Sequence, residues 1–405
     1  MRADLMKPSI AVTGMGVVTP AGCTLEDLWN GLLDGKSTAR YLDGFNETRF
    51  GCQIRGLDPV GTGKDVRRMD AFARYGVTAG LDAYRHAGAP QADHGRAAIL
   101  VGSAVGGRQT SDQESFNYAE RGAAGVNPLM PLMTMPNAAA AALSMKLGWT
   151  GPAFTYANTC ASSADAIGQG MLMLRSGQVD VVLAGGCEAT LSPVTLAAFT
   201  NLNALSTRID DPERASRPFD VGRDGFTMGE GAAFVIMERK EDAVARRAQI
   251  HGEVLGYAAT ADAHHLAMPH PDGLGAGTAM RNALVDAGVE PADISHINAH
   301  GTSTPINDRV EAAAIQRLFG SSAPPVTSSK GVLGHLMGAA GAVELISTLL
   351  GLRNNTVPPT ANHEQLESGM EIDVVHRSPR TIINGPALSN SFGFGGHNAS
   401  LVVTA

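Results

Sequence analysis

Short apolar runs rich in β-branched residues alternate along this chain with longer stretches of helical period. The runs at 10–18, 98–102, 153–157, 180–184, 233–238, 294–299 and 399–403 predict strands. Helices are predicted at 25–33, 71–86, 163–176, 278–287 and 310–318, and a charged one at 238–247. The late stretch 336–352 is apolar, but Glu344, Ser347 and Thr348 interrupt it, so it reads as a buried helix and not as a membrane span. Such alternation implies βαβ units with largely parallel, buried sheets, an α/β architecture. A mild boundary near 251–257 divides the chain into halves, 1–252 and 253–405.

Composition narrows the picture. Of 405 residues, 44% are hydrophobic and 17% charged, the profile of a globular chain too long for one simple core. The formal net charge of −8 makes nucleic acid a poor partner, since phosphate binding needs clustered Lys and Arg. The N-terminus lacks a signal-type apolar segment, and Cys23, Cys52, Cys160 and Cys187 lack metal-ligand or disulfide spacing. A reducing cytoplasm is the expected compartment, with no metal bound and no membrane contact.

One of these cysteines stands apart. In AFTYANTCASSADAIGQG, a strand gives way to a polar turn and Cys160 then opens a helix. Free backbone N–H groups and the positive helix end at that point favour a thiolate and can hold an oxyanion. The competing reading, a small core residue, has equal weight on geometry alone. His300, in HINAHGTSTP, and His335, in SSKGVLGHLMGAAGAVE, each stand at a strand-to-helix junction, with Lys330 after a short strand. Spacing alone does not select them over His264, His265, His270 or His397.

Taken together, VTGMGVVTPAG, NTCASSADAI, LSTRIDDPERASRPFDVGRDGFTMGEGA, NAHGTSTP, SSKGVLGHLMGAAGAVE and SNSFGFGGHN resemble the β-ketoacyl-ACP synthase family of thiolase-like condensing enzymes. The resemblance spans nearly the whole chain. It implies a thiolase-like fold, two similar halves forming a five-layered αβαβα core, usually dimeric. It also implies decarboxylative condensation of malonyl units with an acyl group on Cys160, with no cofactor beyond the phosphopantetheine of an acyl carrier protein. His300 and His335 resemble the pair that bonds the malonyl thioester carbonyl. Lys330 resembles the lysine supporting the second histidine, and Glu311 the carboxylate ordering that corner. Thr302 and Thr304 match threonines that contact the phosphopantetheine arm. Phe394 matches a gating phenylalanine whose N–H joins that of Cys160 in the oxyanion hole. Phe199 falls beside the family's acyl tunnel, with ordinary core packing as its equal alternative.

Rival members of the fold fit less well. No cysteine follows Cys187, against a degradative thiolase, and two histidine motifs stand against the Cys-His-Asn type. Retention of Cys160 disfavours the non-catalytic chain-length subunit of a polyketide heterodimer, although such a Cys-less homologue is a conceivable partner. Asn307-Asp308, Ser163 and the GGHN ending depart from common fatty-acid wording and lean towards a type II polyketide or polyene ketosynthase, with primary fatty-acid elongation close behind. An acidic carrier protein needs a basic docking face. The run GKDVRRMDAFARYG offers Lys64, Arg67, Arg68 and Arg74, with a helix face of paired surface charges as the plainer reading.

Overall fold

The structure is a computed structural model that describes residues 7–42, 45, 49–56 and 66–405. Ten strands form its main sheet: β1 (Ile10–Val18), β2 (Ala97–Gly102), β3 (Ala153–Tyr156), β4 (Val181–Glu188), β5 (Gly231–Arg239), β6 (Gly252–Ala261), β7 (His296–Asn298), β8 (Val326–Thr327), β9 (Ala387–Gly393) and β10 (His397–Thr404). Their order is β8-β7-β9-β10-β6-β1-β5-β4-β2-β3. The order contains one five-strand pattern twice. From the outer edge inward, β3, β2 and β4 are parallel, then β5 and β1 antiparallel. Likewise β8, β7 and β9 are parallel, then β10 and β6 antiparallel. The two arrays meet where Ile10–Val12 of β1 pairs with Gly252–Val254 of β6.

Helices complete the layering: α1 (Leu25–Asp34), α2 (Ala71–His86), α3 (Arg108–Arg121), α4 (Ala138–Leu147), α5 (Ser162–Arg175), α6 (Pro193–Asn201), α7 (Leu274–Ala287), α8 (Pro305–Phe319) and α9 (Ala340–Arg353). The helices α5 and α9 touch each other and strands of both arrays, so they form the middle layer. Outside, α2 covers the first array and α7 the second, with α8 packed on α7. The result is the five-layered α/β, thiolase-like arrangement, αβαβα. Small residues make the middle layer possible. A Cβ on Gly168 of α5 would lie 2.2 Å from the Tyr257 ring, and one on Gly341 of α9 would lie 3.0 Å from Ala164. Being apolar on all sides, α9 is buried nearly throughout, as a helix between two sheets must be.

The periodic elements lie where the pattern predicts. The charged helix differs: Glu238 belongs to β5, where it pairs with Arg246, and only Lys240–Ala245 is helical. Two strands of the main sheet escape the pattern. The segment Gly252–Ala261, met in sequence as a boundary, has alanines and glycines of low strand preference, and its register on β10 fixes it. In β9, Ser389, Asn390 and Ser391 are all buried, a polar run that a hydrophobicity pattern passes over. Among the described residues no helix is long and apolar enough to cross a membrane.

Candidate active site

The turn that carries Cys160 sits at the outer edge of the first array. Strand β3 ends at Tyr156, a 3₁₀ turn spans Thr159–Ala161, and α5 begins at Ser162. Local bonds lock this turn: Ser162 Oγ donates to Thr159 O at 2.6 Å and accepts from Asn158 N at 2.9 Å. The equivalent edge of the second array is β8, followed by a helical turn at Lys330–Leu333, then His335, then α9. His335 therefore precedes α9 and does not head it. His300 follows β7.

These three side chains converge. His335 Nε2 lies 3.0 Å from Cys160 Sγ, and the His300 and His335 rings stand 5.3 Å apart at 81°. All three are buried at the base of a cavity of about 540 Å³, whose walls include Phe226, Thr302, Thr304, Asn307, Met337 and Phe394. The volume is within the usual range for a small-molecule pocket. The two threonine hydroxyls are 2.9 Å apart on its wall.

Protonation states follow from burial. Desolvation, aided by the Lys330 charge, holds both imidazoles well below their ordinary pKa, so they are neutral. His335 Nδ1 accepts the Met337 N–H at 3.3 Å, which leaves the ring proton on Nε2, facing Cys160. That tautomer bears on metals. One ligating atom from each of Cys160, His300 and His335 lies within 4.8 Å of the others, close enough for a metal ion. A ligating nitrogen needs a free lone pair, whereas His335 Nε2 carries a proton and the nearby Lys330 repels cations. The set is arranged to donate hydrogen bonds.

Cys160 differs from the thiolate expected at a helix start. Burial pushes its thiol up to about 12, and Glu188 and Glu344 add to the rise; Lys330 and the Phe394 N–H oppose it. The thiol is thus the resting form, with groups that assist ionisation already aimed at Sγ.

Lys330 and Glu344 form an ion pair, both nearly fully buried. Glu344 is the carboxylate that the sequence reading missed, although it stands alone in the apolar run GAAGAVELIS. Glu311 serves the other corner: it accepts from the His300 and Gly301 N–H groups, each at 2.8 Å. Two further residues went unnoticed. Phe226 packs edge-on to His335 with centroids 5.4 Å apart. Glu188 accepts from Ala104 N at 2.6 Å and Gly338 N at 3.1 Å, joining the loops after β2 and before α9. Phe199 lies between Phe226 and Phe394, at 5.6 and 6.3 Å, in a satellite apolar cluster with Leu191, Leu196 and Met337.

The basic run GKDVRRMDAFARYG falls only partly within the described residues. Arg67 and Arg68 are exposed in a short turn before α2. Arg74 is half-buried beside Asp70 and Glu230, and Lys64 lies outside the described residues. Cys23, Cys52 and Cys187 are free thiols, as Cys160 is.

A buried Cys and two neutral imidazoles thus meet in one cavity of a thiolase-like scaffold, with a buried Lys–Glu pair whose charge acts on them. The chain belongs to the β-ketoacyl synthase family: residues 7–243 match the beta-ketoacyl synthase N-terminal domain and residues 251–364 the C-terminal domain. It is 39% identical to 3-oxoacyl-[acyl-carrier-protein] synthase 2 of Synechocystis sp., over 98% of each chain. It is similar in structure to the ishigamide ketosynthase/chain length factor (31% identity, TM-score 0.91, 98% of this chain and 99% of that one). It is also similar to a type II polyketide ketosynthase bound to the hexaketide in complex with its acyl-carrier protein (27% identity, TM-score 0.90, 99% and 100%). The protein is a β-ketoacyl-ACP synthase, an acyltransferase that needs no free cofactor.

Proposed function

We propose that Cys160 accepts an acyl group from a carrier-protein thioester and that His300 and His335 then drive its extension by malonyl units. The convergence of Cys160 Sγ and His335 Nε2 at 3.0 Å beside a neutral His300 carries this reading. The Cys160 thiolate attacks the thioester carbonyl, the bond to the carrier sulfur breaks, and the carrier thiol leaves with the proton. The oxyanion is held by the N–H groups of Phe394 and Cys160. Malonyl thioester then enters along Thr302 and Thr304. Its C–C bond breaks, CO₂ departs, and the electron pair delocalises onto the thioester oxygen, where the two imidazole N–H groups hold it. The enolate carbon attacks the acyl carbonyl to form the new C–C bond, and Cys160 Sγ leaves as a thiolate that takes one proton from solvent, the proton that the overall condensation consumes. Lys330 supports the polarity of the site, Glu344 neutralises it in burial, and Glu311 fixes the His300 loop. Residues 1–252 and 253–405 act as two halves, one bringing the nucleophile and the other both histidines. The reaction is cytoplasmic.

We favour a specialised type II polyketide or polyene substrate. Asn307-Asp308, Ser163 and the GGHN ending support this reading, as does the likeness to a type II polyketide ketosynthase. The second reading, fatty-acid elongation, is favoured by the 39% identity to the Synechocystis synthase. An acyl carrier protein docks on Arg67 and Arg68, and the second subunit is a copy of this chain or a Cys-less homologue. Purification after co-expression with neighbouring genes, then turnover of saturated and polyene acyl carriers, tests these points together. A Cys-less homologue in equal amount, or preference for polyene donors, supports the first reading; a homodimer extending saturated chains supports the second. In the same assay, Arg67→Glu with Arg68→Glu raises the KM for acyl carriers and spares small thioesters; equal effects on both sink the docking site.

A further inference from the structure

The residue before the nucleophile has a backbone that its side chain disfavours. Thr159 is β-branched yet holds φ at +50°, in the left-handed region. A branched residue there is a genuine outlier, retained only where its surroundings enforce it. What the hydroxyl does explains its retention. Thr159 Oγ1 donates to Phe394 O at 3.1 Å, across 235 positions of sequence. The N–H of the same Phe394 donates to Cys160 and draws the thiol downward. Consecutive residues, 159 and 160, thus grip the carbonyl and the amide of one residue.

The opposing strand is cut to fit. A Cβ on Gly393 would lie 2.1 Å from Thr159 Oγ1 and 3.1 Å from Cys160 N. Gly393 has an ordinary extended backbone at φ −129°, so the glycine is there for space and not for conformation. Past Phe394, Gly395 and Gly396 take φ of +81° and +75°, and the loop is also held by Gly395 N on Leu266 O at 2.7 Å, Asp262 N on Gly396 O at 2.9 Å and Asn398 Nδ2 on Gly396 O at 3.1 Å. Within this glycine-rich loop, the Thr159 bond holds the Phe394 carbonyl beside Cys160.

We infer that Thr159 is a positioning residue that latches the Phe394 backbone by its carbonyl, keeping the N–H of the same residue aimed at Cys160 for the acyl-transfer step. This rests on the condensing mechanism proposed above. The latch serves the thioester oxyanion and not the enolate, which faces the two histidines on the other wall. Its loss therefore separates the two half-reactions.

Three proteins test it: wild type, Thr159→Val, which keeps the branch and loses the hydroxyl, and Thr159→Ser, which keeps the hydroxyl and loses the branch. Single-turnover acylation of Cys160 is read by intact mass, and CO₂ release from malonyl carrier protein is read separately. Thr159→Val slows acylation about 10-fold, a fraction of the 10²–10³ lost when an oxyanion donor is removed outright. It leaves decarboxylation within about 2-fold of wild type, and Thr159→Ser keeps both rates within about 3-fold, as an effect acting only through the donor requires. Acylation by Thr159→Val at the wild-type rate overturns the latch, as does a parallel fall in both half-reactions or a Thr159→Ser as slow as Thr159→Val. A wild-type protein that neither acylates nor decarboxylates overturns the condensing mechanism itself.

Discussion

The two five-strand arrays carry their chemistry at corresponding places and by different means. In the first, edge strand β3 turns within residues 157–161 into α5; in the second, edge strand β8 runs through residues 328–339 before α9 begins. The short connection puts Cys160 against free backbone N–H groups and leaves room for one reactive side chain. The long one accommodates a helical turn, left-handed Gly334 and Met337, and hence the side chains of both Lys330 and His335. One layout thus gives a nucleophile held by backbone, and the other a donor set held by side chains. The lesson is that the repeat supplies position, whereas connection length decides what chemistry the position can hold.

Separating the two sides has the largest expected effect. Cys160→Ala abolishes the covalent acyl adduct and lowers condensation by on the order of 10⁴-fold or more, as loss of a nucleophile does. His300→Ala retains the adduct while CO₂ release falls about 10²–10³-fold. Intact mass alongside CO₂ release checks both, and loss of the adduct in His300→Ala breaks the division of labour.

Next comes the ion pair of the second side. Glu344→Gln strands the Lys330 ammonium in a dry interior and lowers stability by about 3–5 kcal/mol, read from urea midpoints. Glu311→Gln keeps a carbonyl acceptor for one of the two backbone N–H groups and costs about 1.5–3 kcal/mol in total. A smaller loss for Glu344→Gln than for Glu311→Gln contradicts the assignment of Lys330 to Glu344.

The smallest effect concerns the first side. Burial places the Cys160 thiol near 12, so below that value its thiolate fraction grows about tenfold per pH unit. Alkylation of Cys160 by iodoacetamide should climb steadily from pH 7 to 9.5; a plateau near pH 8 shows that the helix start and the Phe394 N–H outweigh burial.

Much of this was legible in the chain. The period of residues 71–86 and 163–176 marks α2 and α5 because amphipathic and small-residue patterns express which face is buried. The motif runs around Cys160, His300 and His335 point to the condensing centre through resemblance, since spacing alone cannot choose among twelve histidines. Other features have no one-dimensional trace. Gly252–Ala261 is a strand because β10 and β1 lie on either side of it, a pairing that its own residues do not announce. Both Glu311 and Glu344 are buried acids on helices near Lys330. Only the packing of α9 between the arrays decides which carboxylate reaches the ammonium and which reaches the His300 backbone.

The sequence by itself determined the class of fold and, through resemblance, pointed to Cys160 and the two histidines, because periodicity and contiguous motifs are local properties. Tertiary structure alone decided the tautomer of His335, the resting thiol of Cys160, and the grip of Thr159 on Phe394. Those depend on desolvation and on hydrogen bonds between residues far apart in the chain, and such quantities exist only once the two halves have closed on each other.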